Sequence, residues 1–225
     1  MAESKYQNFL VYDVETGGLP SKENPAFDKM ALTEVALVMV SPELEIIAKT
    51  SFLFAPYFDD LIYTSGAASV SGITKQMCID EGIDPFEALD ITQDFISTYN
   101  KSKKKPTLVG HNIIKFDNPF LENWFKACND DLYKYVNKDP KDTLDLCHLL
   151  FPEAPNYKLG TMCDQFGVEL VGAHRALPDT IANAELFIEI MKNLRGENVP
   201  EASTEGVTVD LNEKSIIDKV NEFQF

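Results

Sequence analysis

Apolar residues follow two rhythms along this chain, and the change from one to the other marks its elements. Phe9 to Val14, Leu32 to Val40 and Leu44 to Phe54 are short, densely apolar runs that read as strands, the latter two separated by the turn-forming Ser41-Pro42-Glu43. Three such strands in succession predict an antiparallel meander. Helical spacing then takes over, with a helix from about Pro85 to Tyr99, a strand from Thr107 to Val109, and a helix carrying Pro119 in its first turn. Phe120, Trp124 and Cys128 share one face of that helix, so Trp124 is expected in the core. Asp142 is placed to cap a helix bearing Leu146, Leu149 and Leu150, with Asp145 in its first turn. A short helix from Leu159 to Phe166 ends near Gly167, and a long one from Pro178 to Leu194 carries Ile181, Leu186, Ile190 and Leu194. Strands first, then alternating helices and strands, predict an α/β sandwich around a mixed sheet.

Residues 1–195 read as one domain. From Gly196 to Val209 the chain is rich in Glu, Ser, Thr and Gly, as linkers are. Beyond it, Ile216, Ile217, Val220 and Phe223 form a short apolar stripe at helical spacing within an acidic tail, residues 196–225. Such a stripe packs back on its own domain or docks to a partner.

With 225 residues, 44% of them apolar, the chain has enough material for a sizeable core. It contains no apolar run of membrane-spanning length and no basic-then-apolar amino terminus, so no membrane association and a cytoplasmic location are expected. Cys78, Cys128, Cys147 and Cys163 are too scattered for a zinc site or a disulfide framework and read as reduced, buried thiols. His148, amid Leu146, Leu149 and Leu150, reads as a packed helix residue.

The formal charge of −16 changes the picture of partners. The stretch after Gly196 contributes −5, with seven acids against Lys214 and Lys219, leaving −11 for the rest. Gripping a long polyanion takes clustered Lys and Arg, and the one basic run is Lys101-Ser102-Lys103-Lys104-Lys105, a loop ahead of the strand at Thr107. It reads as a solvated loop or, more sharply, as a phosphate-tracking one. Lys115, Lys158 and Arg175 are the other cations beside candidate site residues.

The chemistry begins with Asp13 and Glu15. Two residues apart in a strand, they share one face while Leu10, Tyr12 and Val14 line the other. Like charges held together on an apolar strand call for a cation, and oxygen-only ligands suit Mg2+ or Mn2+. Two further acids stand at helix starts. Asp117 follows the strand and polar loop of Leu108-Val109-Gly110-His111-Asn112-Ile113-Ile114-Lys115-Phe116, and Asp179 follows His174-Arg175-Ala176-Leu177-Pro178. Helix capping explains each Asp on its own, with Asp117 or Asn118 capping one helix and Pro178 opening the other. It does not explain His174.

Taken together, Asp13-x-Glu15-Thr16, Gly110-His111-Asn112 with Phe116-Asp117, and His174-Arg175-Ala176-Leu177-x-Asp179 resemble the three motifs of the DEDD exonuclease superfamily, histidine subtype, over about Phe9 to Leu194. Ser71-Gly72-Ile73-Thr74 and Asp142-Thr143-Leu144-Asp145-Leu146 with Tyr157-Lys158-Leu159 are similar to weaker patterns of the same family. The tyrosine subtype would need Tyr where Arg175 stands. Two positions depart from the pattern: Gly17 replaces a frequent Thr, and Thr180 a frequent Ala.

The resemblance implies a ribonuclease H-like α/β fold with a mixed five-stranded sheet flanked by helices. It implies a 3′–5′ exonuclease releasing nucleoside monophosphates from single-stranded or frayed DNA ends with two Mg2+ or Mn2+ ions, Asp13, Glu15, Asp117 and Asp179 being metal ligands. His174 would be the general base, an imidazole's ordinary pKa of about 6.5 suiting that role near neutrality. Thr16, Gly17, His111, Asn112 and Phe116 would contact the terminal nucleotide. The same chemistry on RNA 3′ ends is the alternative, and a non-catalytic scaffold the distant one. A polymerase or repair partner would dock on the C-terminal segment. The sequence leaves oligomeric state open.

Overall fold

Five strands form one sheet in the order β3-β2-β1-β4-β5 in a computed structural model that describes residues 7–20 and 27–196. The linker and amphipathic stripe expected after Gly196 lie outside the described residues. Strands β1 (Phe9–Thr16), β2 (Leu32–Val40) and β3 (Ile46–Leu53) make the antiparallel meander, while β4 (Thr107–Gly110) and β5 (Lys141–Asp142) continue the sheet parallel to β1. The third strand starts two residues later than its apolar run, because Leu44 adopts a φ of 67° and belongs to the turn that Ser41 closes by donating its N–H to Glu45 O.

Alternation along β1 sorts its side chains between two layers. Leu10, Tyr12 and Val14 face a core shared with α3 (Pro85–Tyr99) and α4 (Asp117–Ala127), where Trp124 is buried and donates its indole N–H to Pro85 O at 3.0 Å. Val11 faces the opposite layer, packing with Val38, Val40 and Val109 on Ala184, Phe187 and Ile188 of α7 (Ala176–Leu194). The far side of α7 buries Ala182, Leu186 and Ile190 against α5 (Thr143–Leu150) and α6 (Leu159–Phe166), with Cys147, Met162 and Cys163 between. All four cysteines are free and buried.

Besides two single 3-10 turns, Phe27–Lys29 and Leu132–Lys134, the remaining elements are two short α-helices, α1 (Ser65–Ser71) and α2 (Lys75–Glu81), which the apolar pattern does not announce. Each is set by local polar chemistry. Thr64 and Thr74 cap their starts by accepting from Ala67 and Met77 N–H, and Gly72 ends α1 in the left-handed conformation. Among the described residues no helix is long and apolar enough to cross a membrane.

Because β1 and β4 run parallel, their C-terminal ends open at the same edge of the sheet. The loop after β4 and the start of α7 reach that edge too. Such edges are where open α/β sheets place ligands.

Candidate active site

Asp13 and Glu15 occupy the last turns of pleat in β1, on the α7 side, just before the β1–β2 register shifts between Glu15 and Thr16. Irregularities of this kind re-aim side chains beside functional sites. Asp179 comes from the first turn of α7, and one carboxylate oxygen from each of Asp13, Glu15 and Asp179 lies within 4.8 Å of the other two. Asp179 Oδ2 accepts from His174 N–H at 2.9 Å, whereas its Oδ1 is buried without a hydrogen-bond partner among the described residues.

Three carboxylates so close are electrostatically costly when bare. Burial, then the charges of Asp117, Glu15 and Asp179, hold Asp13 well above the usual carboxylate range. Burial, followed by Asp179 and Glu34, pushes Glu15 up to about 7. Burial also raises Asp179, against the opposing pull of the His174 N–H and imidazole. A divalent cation relieves these costs together. The donor set is oxygen only and includes an unpartnered buried oxygen, which fits Mg2+ or Mn2+.

Asp117 arrives from the opposite layer. The helix cap expected of Asp117 or Asn118 does not form: Phe116 is the N-cap residue and offers no side-chain bond. Asp117 Oδ1 instead accepts from Val14 N–H at 3.2 Å, and Asn118 Oδ1 accepts from the Tyr12 hydroxyl, so both side chains stitch α4 to β1. Buried at 3% exposure, Asp117 is pushed up to about 7 by desolvation against the pull of that N–H. It is outside the trio of converging oxygens, yet of Asp13's charged neighbours it is the one that weighs most on it.

The last helix also begins earlier than Pro178 suggests. α7 starts at Ala176, with Arg175 as the N-cap residue and no cap from its own side chain. Glu34, from β2, does that work: it accepts from Ala176 N–H at 3.0 Å and grips Arg175 through Nε at 3.0 Å and Nη2 at 2.9 Å. His174, exposed, holds a φ of 71° just before it.

Beside the trio is a cleft of about 420 Å3 whose walls include Glu15, Thr16, Gly18, Leu19, Val70 and Phe116. Gly17 is not among its lining residues: its N–H donates to Ala31 O at 2.7 Å, its carbonyl accepts from Thr64 N–H at 2.6 Å, and a side chain there would collide with Ile62 O, which leaves no room for the threonine frequent in the resembled motif. Leu19 and Val70 are large apolar residues left 65% and 59% exposed, and no motif in the sequence points to either. Their only sequence signal is an apolar side chain within an otherwise polar, glycine-flanked stretch.

A family profile described as Exonuclease (RNase_T) matches residues 10–187, from the second residue of β1 into α7. The chain belongs to this exonuclease family. It is 30% identical over 188 residues to the PolC-type DNA polymerase III of Bacillus cereus, a match covering 84% of this chain and 12% of that protein. It is 28% identical over 202 residues to exodeoxyribonuclease I of Haemophilus influenzae, covering 81% of this chain and 40% of the other. A crystal structure of E. coli exonuclease I in complex with a dT13 oligonucleotide superposes with a TM-score of 0.69 at 22% identity, covering 85% of this chain and 42% of that one. The fold is therefore shared, while this chain spans less than half the length of either relative.

Within this member of the exonuclease family, the residues expected to contact substrate divide into two groups. Thr16 and Phe116 line the cleft, and the Thr16 hydroxyl donates to Gly18 O at 3.0 Å, bracing the loop. His111 is committed to the interior, with Nδ1 at 3.0 Å from Thr143 Oγ1 and Nε2 at 2.7 Å from Tyr157 O. A carbonyl can only accept, so Nε2 carries the proton, and burial lowers the pKa of the ring. Asn112 has a φ of 67° and gives its backbone N–H to Asp142 Oδ1 at 2.7 Å. Asp142 is a cap, as expected, through Leu144 N–H at 3.0 Å, but it also holds the loop after β4. His148 is exposed and stacks on Tyr157, with ring centroids 3.6 Å apart, a surface contact in place of the packed position expected.

Proposed function

We propose that the chain is a metal-dependent 3′–5′ exonuclease that removes nucleoside monophosphates from the ends of single-stranded or frayed DNA. The observation that carries this reading is the trio of Asp13, Glu15 and Asp179 oxygens, within 4.8 Å of one another and bordering the apolar cleft through Glu15. The named relatives and the oligonucleotide bound to E. coli exonuclease I support the choice of DNA and of a strand end.

The chain's own groups divide the work. Asp13, Glu15 and Asp179 would hold two Mg2+ or Mn2+ ions, with Asp117 contributing its charge from behind. When bound, such ions lower the pKa of water and neutralise charge on the scissile phosphate and the departing oxygen. His174 accepts the proton of the attacking water, one residue from the clamp on Arg175 that steadies its loop. Leu19, Val70 and Phe116 offer apolar surface to the terminal base, a sequence-tolerant grip. Thr16 faces the sugar from the cleft wall, while Gly17, its backbone paired with Ala31 and Thr64, shapes the loop behind it. The formal charge of −16 disfavours binding along a backbone, so affinity is concentrated at the end of the strand.

Matched DNA and RNA oligonucleotides labelled at the 5′ end test the proposal. With Mn2+, we expect a descending ladder on DNA and no attack on a covalently closed single-stranded circle. Preferred degradation of RNA would reassign the substrate, and cleavage of the circle would overturn the requirement for an end.

A further inference from the structure

β2 is buried along its whole length, and Glu34 is the one carboxylate within it, its side chain 5% exposed. It stands directly opposite Glu15 in the β1–β2 register, a placement that sets two acids against each other across a ladder. A carboxylate in such a place persists only with well-placed partners. Among the described residues its partners all come from the beginning of α7, more than 140 positions away: the Arg175 fork at 3.0 and 2.9 Å and the Ala176 N–H at 3.0 Å.

This clamp is not what holds α7 to the sheet. Ala184, Phe187 and Ile188 already bury the middle of the helix against Val11, Val38 and Val109. What the apolar face leaves loose is the rotation and start of the first turn, and the clamp acts there. His174 immediately precedes it and Asp179 follows four residues after Arg175, the two being joined by the His174 N–H bond to Asp179 Oδ2.

We propose that Glu34, through its bidentate grip on Arg175, is a positioning residue for the cation site, setting where α7 begins and hence where Asp179 meets Asp13 and Glu15. The inference rests on the cation-dependent reading above. The fork is essential to it, because guanidinium fixes direction as well as charge, whereas a lysine ammonium supplies charge alone.

Two substitutions separate positioning from plain electrostatics. Arg175→Lys keeps the charge and loses the fork; Arg175→Gln removes a cation from an acidic site. If only charge mattered, Mn2+ would bind the Lys variant as it binds the parent and the Gln variant more tightly. We expect both to bind Mn2+ more weakly, by about tenfold, the scale on which partners of metal ligands act. Calorimetric titration of the full chain with Mn2+ alone, alongside circular dichroism to confirm folding, reads this directly. Should Arg175→Gln fail to fold for want of a partner to Glu34, Arg175→Lys decides alone. An unchanged Mn2+ affinity in folded Arg175→Lys overturns the positioning role while leaving the cation site standing. Absence of Mn2+ binding by the parent overturns the cation reading and this inference with it.

Discussion

Glu15 and Glu34 face each other across the β1–β2 ladder, and only Glu34 has its own cation in Arg175. For Glu15, desolvation and the charges of Asp179 and Glu34 outweigh the opposing pull of Arg175 and raise it from its ordinary value to about 7. Its ionised form therefore costs the metal-free fold stability. Because the folded value is raised, the favourable contribution is complete below the ordinary carboxylate pKa and is lost as pH rises through about 7. Glu15→Gln cannot ionise. We expect it to melt above the metal-free parent at pH 8, by about 2–4 °C for roughly 1 kcal/mol after solvent screening. The gap should narrow at pH 5, and Mn2+ should stabilise the parent more than the variant. Equal melting temperatures at both pH values would show that Glu15 carries no such burden. The pairing of Asp13 with Glu15 was legible from period-2 spacing alone. Glu34 was not, since one acid in an apolar strand gives no sign of an arginine far along the chain. The internal bonding of His111 was equally hidden, because Thr143 and Tyr157 become its neighbours only through folding.

At the scale of elements, the site depends on two loops pinned by carboxylates that touch no substrate. Asp142, 7% exposed, accepts from Asn112 N–H at 2.7 Å, Leu144 N–H at 3.0 Å and Ile114 N–H at 3.3 Å. It thus joins the start of α5 to the loop that leads into Asp117. Asp142→Ala leaves those amides without their acceptor and should destabilise the protein by about 2–4 kcal/mol. Denaturant unfolding measures that loss, and hydrogen exchange at the Asn112 amide should rise with it. A loss under about 0.5 kcal/mol would remove Asp142 from this role. The long apolar runs made β1, β2, α3 and α7 visible in the sequence. By contrast, α1 and α2 are seven-residue helices held by threonine caps, and β5 is a two-residue strand. Such short elements carry too few apolar positions to show a period. The start of α7 was misplaced for a related reason: its cap is Glu34, from another element, so Pro178 looked like the first helical residue when it is the third.

At the scale of the whole described molecule, the acidic trio and the one lysine-rich run stand apart. The acidic trio lies at the C-terminal ends of β1 and β4, whereas the lysine-rich loop precedes β4, at the other end of the sheet. There Lys104 and Lys105 line a groove with Tyr133 and Lys138. The basic run is thus remote from the cleft, and the site meets its polyanionic substrate through carboxylates that need cations first. Composition alone made the charge problem visible; only the parallel pairing of β1 and β4 placed the lysines at the far pole. The most direct measurement is hydrolysis of a 5′-labelled linear single strand in Mn2+ by the parent and by Asp13→Asn, which removes the carboxylate central to the trio while keeping its shape. We expect a ladder of products shortened from the 3′ end with the parent, and a rate at least about 10³-fold lower with the variant. Equal rates, or an intact strand with the metal-loaded parent, would contradict an exonuclease site at these carboxylates.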